Sequence, residues 1–164
     1  RIPSYTADQV LGGENPFLIV LEDLQDPGNV GTILRTAEGA GVTGILVSRR
    51  TADLFQPKTI RATMGSIYRM PVLEVDSAAE FLPELSARGI RTFAAHLNGK
   101  ESYRLQDYTG PAAILIGNEG NGLSDELAAR ADRLVRIPME GQVESLNAAI
   151  AAAVLMYEVH GQRH

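Results

Sequence analysis

The stretch AAILIGNEGNGLSDELAARADRLVRIPMEGQVESLNAA, residues 112–149, decides the fold. Ala112 to Ile116 is a short apolar run of the kind that a parallel sheet buries on both faces. It gives way to Gly117, Gly120 and Gly122, two asparagines and one carboxylate, Glu119. Ser124 then stands where it would cap a helix over Leu123 to Ala131, and RLVRIP (133–138) is a second buried strand. A polar loop and a long alanine-rich helix follow. Strand, glycine loop, helix, strand is the repeating unit of an α/β sheet protein.

The same alternation runs outward to the start of the chain. FLIVLE (17–22), GILVS (44–48), PVLEV (71–75) and RTFAAHL (91–97) join AAILIG (112–117) and RLVRIP (133–138) as six expected strands. Helical spacing lies between them: Val30, Ile33, Leu34 and Ala37; Thr59 to Met64; Ala78, Phe81, Leu82 and Leu85. The expectation is an α/β fold with a mostly parallel six-stranded sheet and helices on both faces. A chain of 164 residues with 45% hydrophobic types supports one domain, residues 17–164, and RIPSYTADQVLGGENP (1–16) reads as a linker left by an absent N-terminal part.

Composition excludes several classes. There is no cysteine, so disulfides and thiolate metal sites are impossible, which fits a reducing compartment and makes the cytosol the expected location. His96, His160 and His164 are scattered without metal-ligand spacing, and no metal is expected. No apolar stretch approaches the roughly 20 residues that span a bilayer, so no membrane partner is expected. The net charge of −5 argues mildly against a nucleic-acid partner. Yet between positions 35 and 70 lie Arg35, Arg49, Arg50, Lys58, Arg61 and Arg69 against only Glu38 and Asp53, which reads either as a basic face on an acidic body or as ordinary charge fluctuation over a solvated surface.

GAGVTG (39–44) has the G-x-G-x-x-G order of dinucleotide-binding folds, but it follows a helix and precedes a strand. The fingerprint requires the reverse, so these glycines read as a helix end and a tight return. No phosphate loop of the G-x-x-x-x-G-K-[ST] type and no G-x-S-x-G elbow is present.

Three stretches at the carboxyl ends of expected strands, where open α/β sheets place ligands, are hard to explain as packing. In LEDLQDPGNVGTILRTAEGAG (21–41), Asn29 reads as the N-cap of a helix that turns Arg35 away from the core, with Gly28 and Gly31 leaving that arginine a path to the helix start. In LIGNEGNGLS (115–124), the glycines let a flat ligand approach the main chain, and Glu119 argues that the ligand is not a nucleotide phosphate. In IPMEGQVESLNAA (137–149), Ser145 reads as the N-cap of the last helix, whose Leu146, Ile150, Val154 and Tyr157 form an apolar stripe. Asn147 would then fall inside its first turn.

Asn29 with Arg35, then GNEGNGLS, then IPMEGQVESLNAA, in this order, closely resemble the SpoU-type, or TrmH-like, RNA ribose 2′-O-methyltransferases over Phe17 to His160. The resemblance implies that the C-terminal part of the sheet threads into a deep trefoil knot, that the protein is a homodimer, and that S-adenosylmethionine lies bent in the knot. It implies a cofactor cradle of His96, Leu97, Asn98 and Gly99, of Ile116, Gly117, Asn118 and Gly120, and of Ile137, Pro138 and Met139, enclosed by Leu146 and Ala149. Asn29, Arg35, Glu119, Ser145 and Asn147 would form the catalytic site for a ribose. The motif style makes 23S ribosomal RNA the expected partner, with transfer RNA as the alternative. A non-catalytic RNA-binding protein of this fold, or an enzyme taking another adenine ligand at the same loops, are the competing readings.

Overall fold

The computed structural model describes residues 4–164. Its strands are β1 (Phe17–Leu21), β2 (Gly44–Ser48), β3 (Val72–Val75), β4 (Arg91–Ala95), β5 (Glu101–Ser102), β6 (Ala112–Ile116) and β7 (Arg133–Arg136). Its helices are α1 (Ala7–Leu11), α2 (Pro27–Ala40), α3 (Pro57–Thr63), α4 (Ala78–Ala87), α5 (Asp125–Arg130) and α6 (Ala148–Arg163). One sheet of seven strands has the order β3-β2-β1-β6-β4-β7-β5, with every pair parallel. The seventh strand beyond the expected six is β5, a two-residue edge strand too short to carry any periodic signal.

Side chains alternate across the central strands. Phe17, Ile19 and Leu21 of β1 join the core under α2 and α6, and Leu18 and Val20 join the core under α1, α4 and α5. The buried apolar runs of β1, β2 and β6 follow from this double cover. The strand order sets β7 between β4 and β5, so the connection 96–100 must cross β7 to reach the sheet edge. It does so at Gly99, where a Cβ would lie 2.6 Å from the Val135 carbonyl carbon.

Several local expectations are corrected. Residues 1–3 of the expected linker lie outside the described residues. In the rest, Thr6 and Gln9 form a capping box for α1, which buries Val10 and Leu11 in the core. Asp26, not Asn29, caps α2: its Oδ1 accepts from Gly28 N–H at 2.7 Å and Asn29 N–H at 3.4 Å, because Pro27 opens the helix three residues earlier than expected. Asn147, not Ser145, caps α6, accepting from Ala149 and Ile150 N–H at 2.8 and 3.2 Å. The buried residues of α6 are Ala149, Ala152, Leu155, Met156 and Val159. Of the expected stripe, Ile150 and Tyr157 are turned outward, 54% and 50% exposed, while Leu146 and Val154 are half-buried. Alanine faces inward because it lets the helix backbone approach the core closely.

GAGVTG behaves as read: Gly41 ends α2 in the left-handed region, at φ 84°, with its N–H returned to Ala37 and Glu38.

Candidate active site

The loops that follow β1, β6 and β7 converge at the carboxyl edge of the sheet and are tied by hydrogen bonds between residues far apart in the chain. Glu22, the first residue after β1, accepts from the Ser124 N–H and hydroxyl, both at 2.7 Å. Asn118 Nδ2 donates to the Asp23 carbonyl at 2.8 Å. Asp23 itself sits at φ 56°, a strained position for a non-glycine, and is held there by Ser48, which bonds both its N–H and its carboxylate. Glu119 closes the seam by accepting from Gln25 N–H at 3.1 Å and Asp26 N–H at 3.0 Å. Partial burial pushes its carboxyl upward, but the Asp26 and Gln25 N–H groups, its own N–H and Asn29 outweigh that and hold it below its ordinary value.

The β6–α5 loop is shaped by its own backbone. Asn118 and Gly122 exchange N–H···O bonds of 3.1 and 2.8 Å, and Asn118 Oδ1 accepts from Gly120 and Asn121 N–H. Gly117 is a glycine because a Cβ there would lie 2.2 Å from the Leu123 nitrogen. That requirement is internal to the loop, unlike the ligand approach expected of it. At Gly120 a Cβ would meet only Asn118 Oδ1, at 3.5 Å, so packing leaves that position open.

A cavity of ≈ 550 Å³ opens between the loops that follow β4, β6 and β7. Of the cradle expected from the sequence, His96, Leu97, Ile116, Gly117, Asn118, Gly120, Ile137, Pro138, Met139 and Leu146 line it, with Glu119 and Ser145 at its wall. Asn98, Gly99 and Ala149 do not. Asn98 gives its N–H to His96 Nδ1 at 3.0 Å, Gly99 is pressed on β7, and Ala149 is buried in the core beneath α6. The lining includes two charged residues that the sequence reading passed over, Arg136 and Glu144. Each adjoins a residue that was picked out, and the strand and loop boundaries alone separated them.

Asn29, Arg35 and Asn147 are not in the cavity's wall. Asn147 Nδ2 donates to Asn29 Oδ1 at 3.2 Å, so the start of α6 is joined to the start of α2 across 118 residues of chain. Arg35 is exposed on α2. Glu38, one turn after it, does not pair with Arg35, because Arg69 occupies that carboxylate at 2.7 Å. The open path by way of Gly31 is also absent, since Gly31 is closed over by α3. Among the described residues there is no group of three His, Cys, Asp or Glu placed to hold a metal, and no helix long and apolar enough to cross a membrane.

Residues 16–157 match the SpoU rRNA Methylase family. The chain belongs to the SpoU methylase family. Its architecture is similar to that of the SpoU methyltransferase AviRb from Streptomyces viridochromogenes in complex with the cofactor AdoMet, with a TM-score of 0.91 and 34% identity over 98% of this chain and 66% of that one. An AdoMet-bound rRNA methyltransferase from Sinorhizobium meliloti superposes with a TM-score of 0.89 and 39% identity, over 96% of this chain and 60% of that one. A Bacillus subtilis protein assigned to the TrmH tRNA/rRNA methyltransferases is 38% identical over 151 residues, 92% of this chain and 61% of its own length. The SpoU chain described here therefore spans about three fifths of the curated relatives it matches.

Proposed function

We propose that this SpoU-family chain is the catalytic domain of an enzyme that transfers a methyl group from S-adenosylmethionine to the 2′-hydroxyl of a ribose in RNA, with ribosomal RNA the favoured substrate. The observation that carries the reading is the single cavity into which three distant loops converge, with Asn29 and Asn147 joining its rim to the helix of Arg35.

The residues present fit the cofactor. The cavity's ≈ 550 Å³ falls in the ordinary range for small-molecule sites. Apolar Leu97, Ile137 and Leu146 line it beside backbone groups of the β6–α5 loop, and Gly120 leaves its Cβ position open where packing does not require it. The sulfonium supplies an already activated methyl group. The chain therefore has to orient, exclude water and stabilise charge; no metal enters the proposal.

Arg35 is the cation of this site. A guanidinium, with a pKa above about 12, is a poor base but a strong grip on phosphate. Its position outside the cavity wall and its freedom from Glu38 leave it to hold an RNA phosphate and to steady charge developing on the attacking 2′-oxygen. Glu119 fixes the N-terminal turn of the same helix, and Asn29 with Asn147 fixes its distance from α6. Ser145, in the cavity wall one residue before Leu146, is the polar group nearest the α6 cap that faces the site. The exposed face of α6 serves a homodimer, and the crossing of residues 96–100 over β7 belongs to a knotted C-terminal half.

Arg35→Ala is expected to lower methyl transfer to bulk RNA by about a hundredfold or more. Calorimetry should find S-adenosylmethionine binding unchanged. Equal loss of cofactor affinity would contradict the role.

A further inference from the structure

Arg35 stands on a stripe of α2 that also carries Gly31, one turn before it, and Glu38, one turn after. Both neighbours are fastened to the segment between β2 and β3. A Cβ on Gly31 would lie 2.3 Å from the Ala62 side chain and 2.9 Å from the Thr59 carbonyl oxygen, so α3 rests directly on the backbone of α2. Glu38 accepts from Arg69 at 2.7 and 2.8 Å and from Ser66 Oγ at 3.3 Å, which pins the 3₁₀ turn Ser66–Tyr68 to the same helix. The segment is thus held on either side of Arg35.

Three of its large apolar side chains face outward. Phe55 is 40%, Met64 66% and Tyr68 51% exposed. Met64 ends α3 at φ 51°, a left-handed position that a bulky residue seldom occupies. Lys58 and Arg61 are exposed one turn apart on α3, each one residue before a position that faces α2, and so share a flank. Among the described residues neither pairs with a carboxylate. The neighbouring acids are engaged, Glu38 by Arg69 and Asp76 by Arg49, while Asp53 accepts the Phe55 N–H at 2.9 Å.

We propose that residues 55–68 form the docking surface for a single-stranded stretch of the RNA, with Phe55 and Tyr68 stacking on bases and Lys58 and Arg61 meeting phosphates, so that a neighbouring ribose is delivered to Arg35. The inference rests on the methyltransferase reading of the adjacent site. Aromatic faces interleaved with cations match the two chemistries of an unpaired strand, π-faces and phosphates. A second copy of the chain fits less well, because a twofold contact through this patch would gather both copies' unpaired cations into one interface.

Two paired variants, Lys58→Ala with Arg61→Ala and Phe55→Leu with Tyr68→Leu, test it against a fluorescein-labelled single-stranded RNA and against tritiated methyl transfer to bulk RNA. The charge pair should weaken oligonucleotide binding and lower the slope of log Kd against log salt by about 1.4, two phosphates' worth. The aromatic pair should weaken binding by about tenfold or more with the slope unchanged. S-adenosylmethionine affinity should match the wild type in both, certifying the fold. RNA affinity unmoved by both pairs, while the wild type methylates RNA, would overturn the docking surface and leave the transferase standing. Lost binding in the variants of a wild type that transfers no methyl would do the reverse. Dissociation of a dimer into monomers by the aromatic pair would assign the patch to the subunit contact and overturn the proposal.

Discussion

Glu119 accepts two backbone N–H groups at the start of the helix that carries Arg35, although it lies 93 residues beyond Asp26 in the chain. Its carboxyl is held below its ordinary value of 4.5, so the stabilisation it supplies is complete above that pH and is lost as pH falls through the lower, folded-state value. Glu119→Gln must turn an amide toward N–H donors and should cost about 1 kcal/mol at neutral pH. In chemical denaturation the difference from wild type should shrink on acidification below 4.5, as the native carboxylate takes up a proton. A constant difference across that range would mean the carboxylate charge is not what the loop uses. Such a partner is invisible in sequence: the motif marks Glu119 as unusual, but only the parallel pairing of β1 with β6 brings it to Asp26. Glycines divide the same way. Gly117 and Gly99 read equally well as ligand contacts, yet each is required by a backbone passing within 2.6 Å of its missing Cβ.

Elements with one unmistakable apolar signal were legible, and those with two competing signals were not. The strands β1, β2 and β6 follow from unbroken Val, Ile and Leu runs, and α2 and α4 from apolar spacing. At the start of α2, Asp26 and Asn29 are both competent caps, as are Ser145 and Asn147 at α6. Pro27 and the tertiary path of the loop decide between them. In α6 the eye follows Ile150, Val154 and Tyr157, while packing turns in Ala149, Ala152, Leu155, Met156 and Val159, a face whose small N-terminal residues let the backbone approach closely. The consequence is that Ile150 and Tyr157 are left outside, where the proposed homodimer would cover them. Ile150→Lys should convert the protein from dimer to monomer in sedimentation equilibrium, with helix content retained by circular dichroism. A wild-type protein that sediments as a monomer would remove the assignment.

Across the whole molecule, the order β3-β2-β1-β6-β4-β7-β5 explains why chemistry gathers at one edge. The central strands β1, β6, β4 and β7 are neighbours, so the loops after them meet although they are spread over the chain. The basic segment beside Arg35 then gives one side of an otherwise acidic molecule, with net charge −5, a surface suited to phosphate. The central claim is the atom that receives the methyl group. RNA labelled by the protein with tritiated S-adenosylmethionine, hydrolysed in alkali and separated by chain length, tests it directly. A ribose 2′-O-methyl blocks cleavage at its own linkage, so the account predicts label in alkali-resistant dinucleotides, lost with Arg35→Ala. Label found in mononucleotides, as base methylation would place it, would contradict the account.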